Sequence, residues 1–274
     1  MLIFGEVTIT GYSVDSYVLS WVVAADPAVD DISDYKYHIY RSLSPEGPFD
    51  RVTSEAGLSN IFFYEDTQVN RFQKWRRWFY KIVARSTTGR SEVSSQVVDL
   101  QIKAPTQIEL VAAEIRRNQN ILLRGIGVTP GTIGLPCLLY IRRKFGTRCS
   151  CWSDTQQQVT DDGHLQCFGT GYVGGFMDPV LVYVNMGGET EQTDMDPNME
   201  EEPVTGRVWT TNYPEMSYGD LIVTKDIRIY EVVRKTRTQL RDITSRQLLD
   251  IRELPRTDVR FKIPLNTQLL ESAR

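Results

Sequence analysis

Tyr17-Val18-Leu19-Ser20-Trp21 places a large apolar side chain at every second position, and this alternation decides the fold of the first hundred residues. Successive side chains of a β-strand point to opposite faces, so the pattern predicts a strand with Trp21 on its buried face. The same period returns in Tyr35, Tyr37 and Ile39. This part of the chain is therefore predicted to form β-sheets.

Turn signals separate the predicted strands. Ser44-Pro45-Glu46-Gly47-Pro48-Phe49 is punctuated by proline and glycine, and Thr87-Thr88-Gly89-Arg90 has the composition of a hairpin turn. Strands are predicted on both sides of that turn, at residues 79–84 and 93–100. Strands at this spacing without helices between them predict a β-sandwich over residues 1–103.

The order and spacing of these segments resemble a fibronectin type III domain. The resemblance covers about the first third of the chain, and it implies a domain that binds through its surface and carries no chemistry of its own. The matching segments are Leu19-Ser20-Trp21, Tyr37-His38-Ile39-Tyr40-Arg41-Ser42, Gly47-Pro48-Phe49, Tyr80-Lys81-Ile82-Val83-Ala84-Arg85 and Gly89-Arg90-Ser91-Glu92-Val93-Ser94.

The composition is that of an ordinary soluble protein. The chain has 274 residues, of which 41% are hydrophobic and 24% charged, with a formal net charge of −4. This length suggests about two domains, and the acidic balance argues against a dedicated nucleic-acid-binding protein. No apolar run approaches the roughly 18 residues of a membrane span, and the first residues lack a signal-peptide pattern, so we expect neither.

The second predicted domain, residues 104–274, begins with a helix. Pro105 ends the preceding strand, and Thr106 with Glu109 fits a capping box, in which each side chain bonds the backbone N–H of the other residue. Apolar residues at helical spacing follow, so an amphipathic helix is predicted over residues 106–124. The arginines on its polar face fit either an acidic neighbour or plain exposure to solvent.

A cysteine-rich loop predicted over residues 145–178 has the residue types and spacing of a zinc site. Cys149 with Cys151, and His164 with Cys167, form two short pairs joined by a polar turn. Three cysteines and one histidine are a common ligand set for structural zinc, so the sequence predicts one zinc ion on these four residues. The alternatives are a loop of thiols with a surface histidine, or a strained Cys149–Cys151 disulfide.

The remaining cysteine and histidine are predicted to be structural. Cys137 lies within an apolar strand, where a thiol acts as a small hydrophobic group. His38 lies in a predicted strand of the first domain, far in sequence from any cysteine. We expect neither residue to bind a metal.

The cysteine-rich loop follows a helix and a strand that ends in basic residues, and it carries four motifs in a fixed order. The motifs are Gly146-Thr147-Arg148-Cys149, Cys151-Trp152, Cys167-Phe168-Gly169-Thr170-Gly171 and Gly174-Gly175-Phe176-Met177-Asp178-Pro179-Val180. This order resembles a family of tailed-bacteriophage virion proteins placed between capsid and tail. Members usually carry a CxxC pair in both halves; here the first pair is one residue shorter, and histidine replaces a cysteine in the second. The difference from the family therefore concerns the predicted metal ligands themselves.

The C-terminal part combines an acidic stretch with a basic β-region. An exposed acidic loop is predicted over residues 187–203, and a small β-barrel over residues 207–264. In the barrel, Gly219-Asp220-Leu221-Ile222 followed by Tyr230-Glu231-Val232 resembles phage head-closure proteins. The acidic loop of one copy can meet the basic barrel of the next copy in a ring. Direct contact with DNA and solvated strand faces are the alternatives.

Together the resemblances imply a structural virion protein of a phage neck, the head–tail connector, assembled in the host cytoplasm. The implied role is a cyclic ring of six copies, or else twelve, that joins a portal or adaptor protein to a tail terminator or tail tube protein. Genomic DNA would pass through its lumen. The alternative is a tail or surface binding module that uses the fibronectin-like domain for recognition. The sequence shows no Ser-His-Asp set, P-loop or paired-carboxylate spacing, so it predicts that the protein is not an enzyme.

Overall fold

The computed structural model describes residues 2–11, 16–25, 31–69, 77–89, 91–100, 106–125, 133–187, 205–241 and 243–271. The chain divides into two compact units, Met1–Leu110 with Lys144–Ser150, and Val111–Arg143 with Cys151–Arg274. The predicted junction between residues 103 and 104 lies outside the described residues, so that boundary stays a prediction. No helix of the described ranges has the length and apolar character needed to cross a membrane.

The first unit contains the predicted fibronectin type III-like β-sandwich. Its strands are β1 (Ile3–Gly11), β2 (Tyr17–Ala24), β3 (Tyr35–Ser42), β4 (Asp50–Arg51), β5 (Leu58–Ser59), β6 (Phe63–Asp66), β7 (Trp78–Ser86), β8 (Glu92–Ser94) and β9 (Val98–Leu100). One sheet has the order β1-β2-β6, and the other β4-β3-β7-β8, with β5 also pairing with β3 and β9 with β7. All these pairs are antiparallel.

The alternating apolar residues of β2 form part of the sandwich core. Tyr17, Leu19 and Trp21 of β2 are each at most 2% exposed, whereas Ser20 between them is exposed. The Trp21 ring lies 5.8 Å from the ring of Tyr37 on the facing sheet. The two-residue period therefore predicted both the strand and its inward face correctly.

The second unit contains the barrel and, from Val111 onward, the helix. Its elements are α1 (Gln107–Arg124), β10 (Leu135–Tyr140), β11 (Trp152–Ser153), β12 (Gln158–Val159), β13 (Val180–Asn185), β14 (Thr205–Thr211), β15 (Leu221–Val223), β16 (Ile229–Leu240), β17 (Ile243–Glu253) and α2 (Gln268–Glu271). Six of the strands close into a barrel in the order β10-β13-β14-β17-β16-β15. All of its neighbouring strands are antiparallel.

The barrel begins earlier in the chain than the predicted range of 207–264. Both β10 and β13, which flank the cysteine-rich loop, are barrel strands. That loop is therefore an excursion between two neighbouring strands of one sheet. Near its end, the predicted barrel range contains a 3-10 helix, Val259–Lys262, in place of a strand. The Asp258 side chain caps the first turn of this helix by accepting from the Arg260 N–H.

Successive residues of β10 contribute to two different apolar clusters, one on each face of the strand. Cys137 and Leu139 of β10 point into the barrel, where they meet Val184, Val232 and Leu249 among others. The alternate residues of β10 point outward into a second cluster that includes residues of the C-terminal segment. The buried members of this outer cluster are Leu138, Tyr140, Phe176, Leu221, Val223, Ile229, Leu254, Ile263 and Leu270.

The capping box at the start of α1 is confirmed. The Thr106 backbone N–H donates to Oε2 of Glu109 at 2.7 Å, and the Glu109 N–H donates to Oγ1 of Thr106 at 3.3 Å. At the other end, Gly125 has a φ of +78° and its N–H donates to the Ile121 carbonyl at 2.7 Å. The helix thus begins and ends close to the predicted limits of 106 and 124.

Candidate metal centre

A short hairpin positions the first ligand pair. β11 pairs with β12, so that Trp152 lies opposite Val159. Just beyond this ladder, Thr160 donates to the Cys151 carbonyl twice, from its backbone N–H at 2.9 Å and from its hydroxyl at 2.8 Å. These bonds hold the backbone at Cys151, with Cys149 two residues before it.

A chain of tight turns positions the second pair. The Asp161 side chain accepts from the Gly163 N–H at 2.9 Å, and this bond closes a turn over Asp161-Asp162-Gly163. The Cys167 N–H donates to the His164 carbonyl at 3.3 Å. Thr170 then closes the next turn, since both its N–H and its hydroxyl reach the Cys167 carbonyl. The side chains of His164 and Cys167 are thereby held on one side of the loop.

Glycines let the chain leave the second pair sharply. Gly169 and Gly171 have φ values of +76° and +80°, a backbone region that favours glycine. At Gly171 an added Cβ would also lie 2.9 Å from the indole ring of Trp152. The indole therefore packs directly on the backbone of the second half of the loop.

The structure brings all four predicted ligands together. The candidate donor atoms of Cys149, Cys151, His164 and Cys167 all lie within 4.8 Å of one another. The Sγ atoms of Cys151 and Cys167 are 3.3 Å apart, and Sγ of Cys167 is 3.8 Å from Nδ1 of His164. The three thiols are at most 8% exposed, and the histidine is half-buried. This cluster can hold one metal ion.

The spacing of the donors fits a tetrahedral ion. With Zn–S bonds of about 2.3 Å and Zn–N bonds of about 2.0 Å, neighbouring donors of a tetrahedral site lie roughly 3.5–3.8 Å apart. The Sγ–Sγ distance of 3.3 Å and the Sγ–Nδ1 distance of 3.8 Å each lie within about 0.5 Å of these values. The sulfurs are also too far apart for the bond length of about 2.05 Å in a disulfide, and no cysteine of the described residues is disulfide-bonded.

Arg143 supports the loop and was missed by the sequence analysis. Its side chain is 4% exposed and donates from Nη1 to the Val173 carbonyl at 3.0 Å and from Nε to the Phe176 carbonyl at 3.3 Å. Its backbone N–H donates to the Gly175 carbonyl at 3.0 Å. In the sequence it stands in the run Arg142-Arg143-Lys144, which looks like a solvated strand end, so no local signal distinguishes it.

The other cysteine and histidine lie outside the cluster, as predicted. Cys137 is fully buried in the barrel, and this burial raises the pKa of its thiol to about 12. His38 is 5% exposed in the sandwich, packed against Gly57, where an added Cβ would lie 2.8 Å from its ring. Burial, with nearby Arg85 and Arg51, lowers the pKa of His38.

The predicted acidic loop can be located only by its flanks. Residues 188–204, which contain its carboxylates, lie outside the described residues. The last described residue before them is Gly187, whose N–H donates to the Asn185 side chain at 2.7 Å.

Comparison with known proteins does not assign the chain to a family. No family model and no curated protein matches the chain. Among solved structures, a β-1,2-glucanase from Parabacteroides distasonis is 17% identical over 45% of this chain and 16% of its own length, with a TM-score of 0.31. A family 76 glycoside hydrolase from a bovine Bacteroides thetaiotaomicron strain is 10% identical over 52% of this chain and 28% of its own length, with a TM-score of 0.25.

These matches correct one sequence-based prediction. The absence of catalytic motifs predicted that the chain is not an enzyme, whereas both similar structures belong to enzymes. That prediction is withdrawn. The chain spans only 16% and 28% of the two enzymes, and likeness at these TM-scores assigns no activity to it.

Proposed function

We propose that Cys149, Cys151, His164 and Cys167 bind one Zn²⁺ as a structural site. The observation that carries the proposal is the convergence of all four donor atoms within 4.8 Å. Three thiolates and one imidazole fill the four positions of a tetrahedral zinc ion and leave none for water, which is the arrangement of structural rather than catalytic zinc sites.

The ion would stabilise the excursion between β10 and β13. Within it, the hairpin and the turns are each held by a few hydrogen bonds, and Phe176 at its far end packs into the outer apolar cluster. Zinc binding in small sites of this kind supplies on the order of 10 kcal/mol of folding free energy. Removing the metal should therefore unfold the loop before it unfolds the barrel.

The test compares a ligand cysteine with the one cysteine outside the cluster. Cys167→Ser should lower the zinc content of protein purified under reducing conditions from one equivalent per chain to below half. Cys137→Ala should leave the zinc content at one equivalent, because Cys137 lies inside the barrel. If folded wild-type and Cys167→Ser proteins contain equal amounts of zinc, the proposed zinc site is contradicted.

We further propose that the chain is a neck protein of a tailed phage, in which a ring of identical copies joins portal or adaptor to the tail terminator or tail tube. The ordered motifs of the cysteine-rich loop support this role. A further support is that the loop is an excursion from a small barrel, which follows a fibronectin type III-like sandwich. In this role the lumen of the ring would carry the genomic DNA.

Light scattering coupled to size exclusion tests the ring. We expect a particle of six, or else twelve, times the chain mass of 31.4 kDa. A monomer or trimer at all concentrations would contradict the neck proposal and would favour a surface binding module. Neither result depends on the zinc assignment, so the two proposals fail separately.

A further inference from the structure

The hairpin of β16 and β17 is long, and its tip carries positive charge. Its two strands pair from Tyr230–Glu253 to Leu240–Ile243, whereas the neighbouring β14 pairs with β17 only as far as Arg246. On the other side, β15 pairs with β16 only through Glu231. The described residues of 233–245 therefore form an arm that extends past both neighbouring strands.

The cations of this arm, together with Arg246 at its base, are poorly neutralised. Arg234 and Arg241 are exposed and make no ion pair among the described residues, while the Arg246 guanidinium lies 5.8 Å from the Trp209 ring. Glu215 accepts from both Lys235 and Arg237. Burial alone would raise the pKa of Glu215, but these two hydrogen bonds hold it below its usual value. The arm thus keeps a positive excess.

The described residues on either side of the acidic segment lie at the opposite end of the barrel. Residues 188–204 connect β13 to β14, and Thr205, at the start of β14, pairs with Arg252. The tip of the arm lies at the other end of β17, beyond Ile243. The two ends are about 30 Å apart along the strand, at about 3.4 Å per residue. The segment contains seven acidic residues and no lysine or arginine: Glu189, Glu191, Asp194, Asp196, Glu200, Glu201 and Glu202.

The length of the segment disfavours pairing within one chain. It is anchored at both ends, so its midpoint can extend only about 30 Å even when both halves are fully extended. Only its middle would then touch the tip of its own arm. In a second copy placed with its acidic end against that tip, the segment need not extend along the barrel. All seven carboxylates are then within reach of the cations of the arm.

We propose that the arm, residues 233–245 with Arg246, is the docking surface for the acidic segment, residues 188–204, of a neighbouring copy. Such a contact is head-to-tail, because each copy offers its arm to one neighbour and its acidic segment to the other. A head-to-tail contact that closes on itself makes a ring. The inference deepens the proposed neck ring and rests on it.

Mixing two charge-reversed variants tests the contact. In the arm variant, Arg234→Glu, Arg241→Glu and Arg246→Glu make the arm negative, like the segment it would meet. In the segment variant, lysine replaces Glu189, Glu191, Glu200, Glu201 and Glu202, which makes the segment positive, like the arm. Each variant alone should lose at least tenfold in the affinity of self-association. An equimolar mixture should recover it, because every junction between the two variants then joins opposite charges. The control Lys225→Glu with Arg256→Glu and Lys262→Glu carries the same charge change as the arm variant, on exposed residues outside the arm, and should assemble normally.

Each outcome of this experiment is decisive. A mixture that stays dissociated while the wild-type chain forms rings would overturn the arm contact and leave the neck proposal intact. A monomeric wild-type chain would overturn both. If the arm variant assembles normally but loses the binding of a short DNA duplex that wild type shows at low salt, the arm recognises nucleic-acid phosphates instead of a second copy.

Discussion

Within the candidate metal centre, the closest pair of sulfurs belongs to Cys151 and Cys167, at 3.3 Å. Without the metal, this pair should form a disulfide when oxidised glutathione accepts the two electrons and is reduced to two glutathione molecules. Peptide mapping by mass spectrometry should find this bridge in chelated protein and not in zinc-loaded protein. A Cys149–Cys151 bridge as the main product would contradict the described geometry.

His38 should make the stability of the sandwich depend on pH. The pKa of the folded state is lowered, chiefly by burial, so the unfolded chain takes up the proton first as the pH falls. Stability should therefore be full above about pH 6.5, the usual pKa of histidine, and should decline as the pH falls toward the lower folded value. Urea unfolding of wild type and His38→Gln at pH 7.5 and pH 5, both in chelator, measures this. An equal loss in the two proteins would show that His38 does not contribute.

At the scale of elements, the start of α1 gives the sharpest test. Thr106→Ala removes the hydroxyl that accepts from the Glu109 N–H, and caps of this kind contribute about 1 kcal/mol. Thr106→Ser keeps an equivalent hydroxyl. We expect Thr106→Ala to lower the free energy of unfolding by about that amount and Thr106→Ser to leave it nearly unchanged, as measured by chemical denaturation. Equal stability of the two variants would show that the cap does not stabilise the helix.

Local patterns predicted this helix and the sandwich strands because their signals lie within a few residues. The ligand set was predictable for the same reason, since Cys149, Cys151, His164 and Cys167 occur as two short pairs. The full extent of the barrel was not, because β10 and β13 precede the predicted range and β10 pairs with both β13 and β15 across long stretches of sequence. Nor was the role of Arg143, whose carbonyl partners are about thirty residues away in the chain.

At the scale of the whole molecule, the metal centre and the proposed assembly should be linked. Under the proposed neck function, a phage that carries Cys167→Ser in this chain should produce heads and tails that fail to join, because the unfolded loop disrupts the subunit of the proposed ring. Cys137→Ala should leave joining intact. Negative-stain electron microscopy of lysates distinguishes the two, and normal virions from the Cys167→Ser phage would contradict the link.

The central claim is that the three buried thiols and His164 form one zinc site. Zinc K-edge X-ray absorption of the purified chain, with elemental analysis of the same sample, tests it most directly. We expect one zinc per chain, with three sulfur neighbours at about 2.3 Å and one nitrogen neighbour at about 2.0 Å. Less than half an equivalent of zinc under reducing, chelator-free conditions, or a first shell made mainly of oxygen, would contradict it.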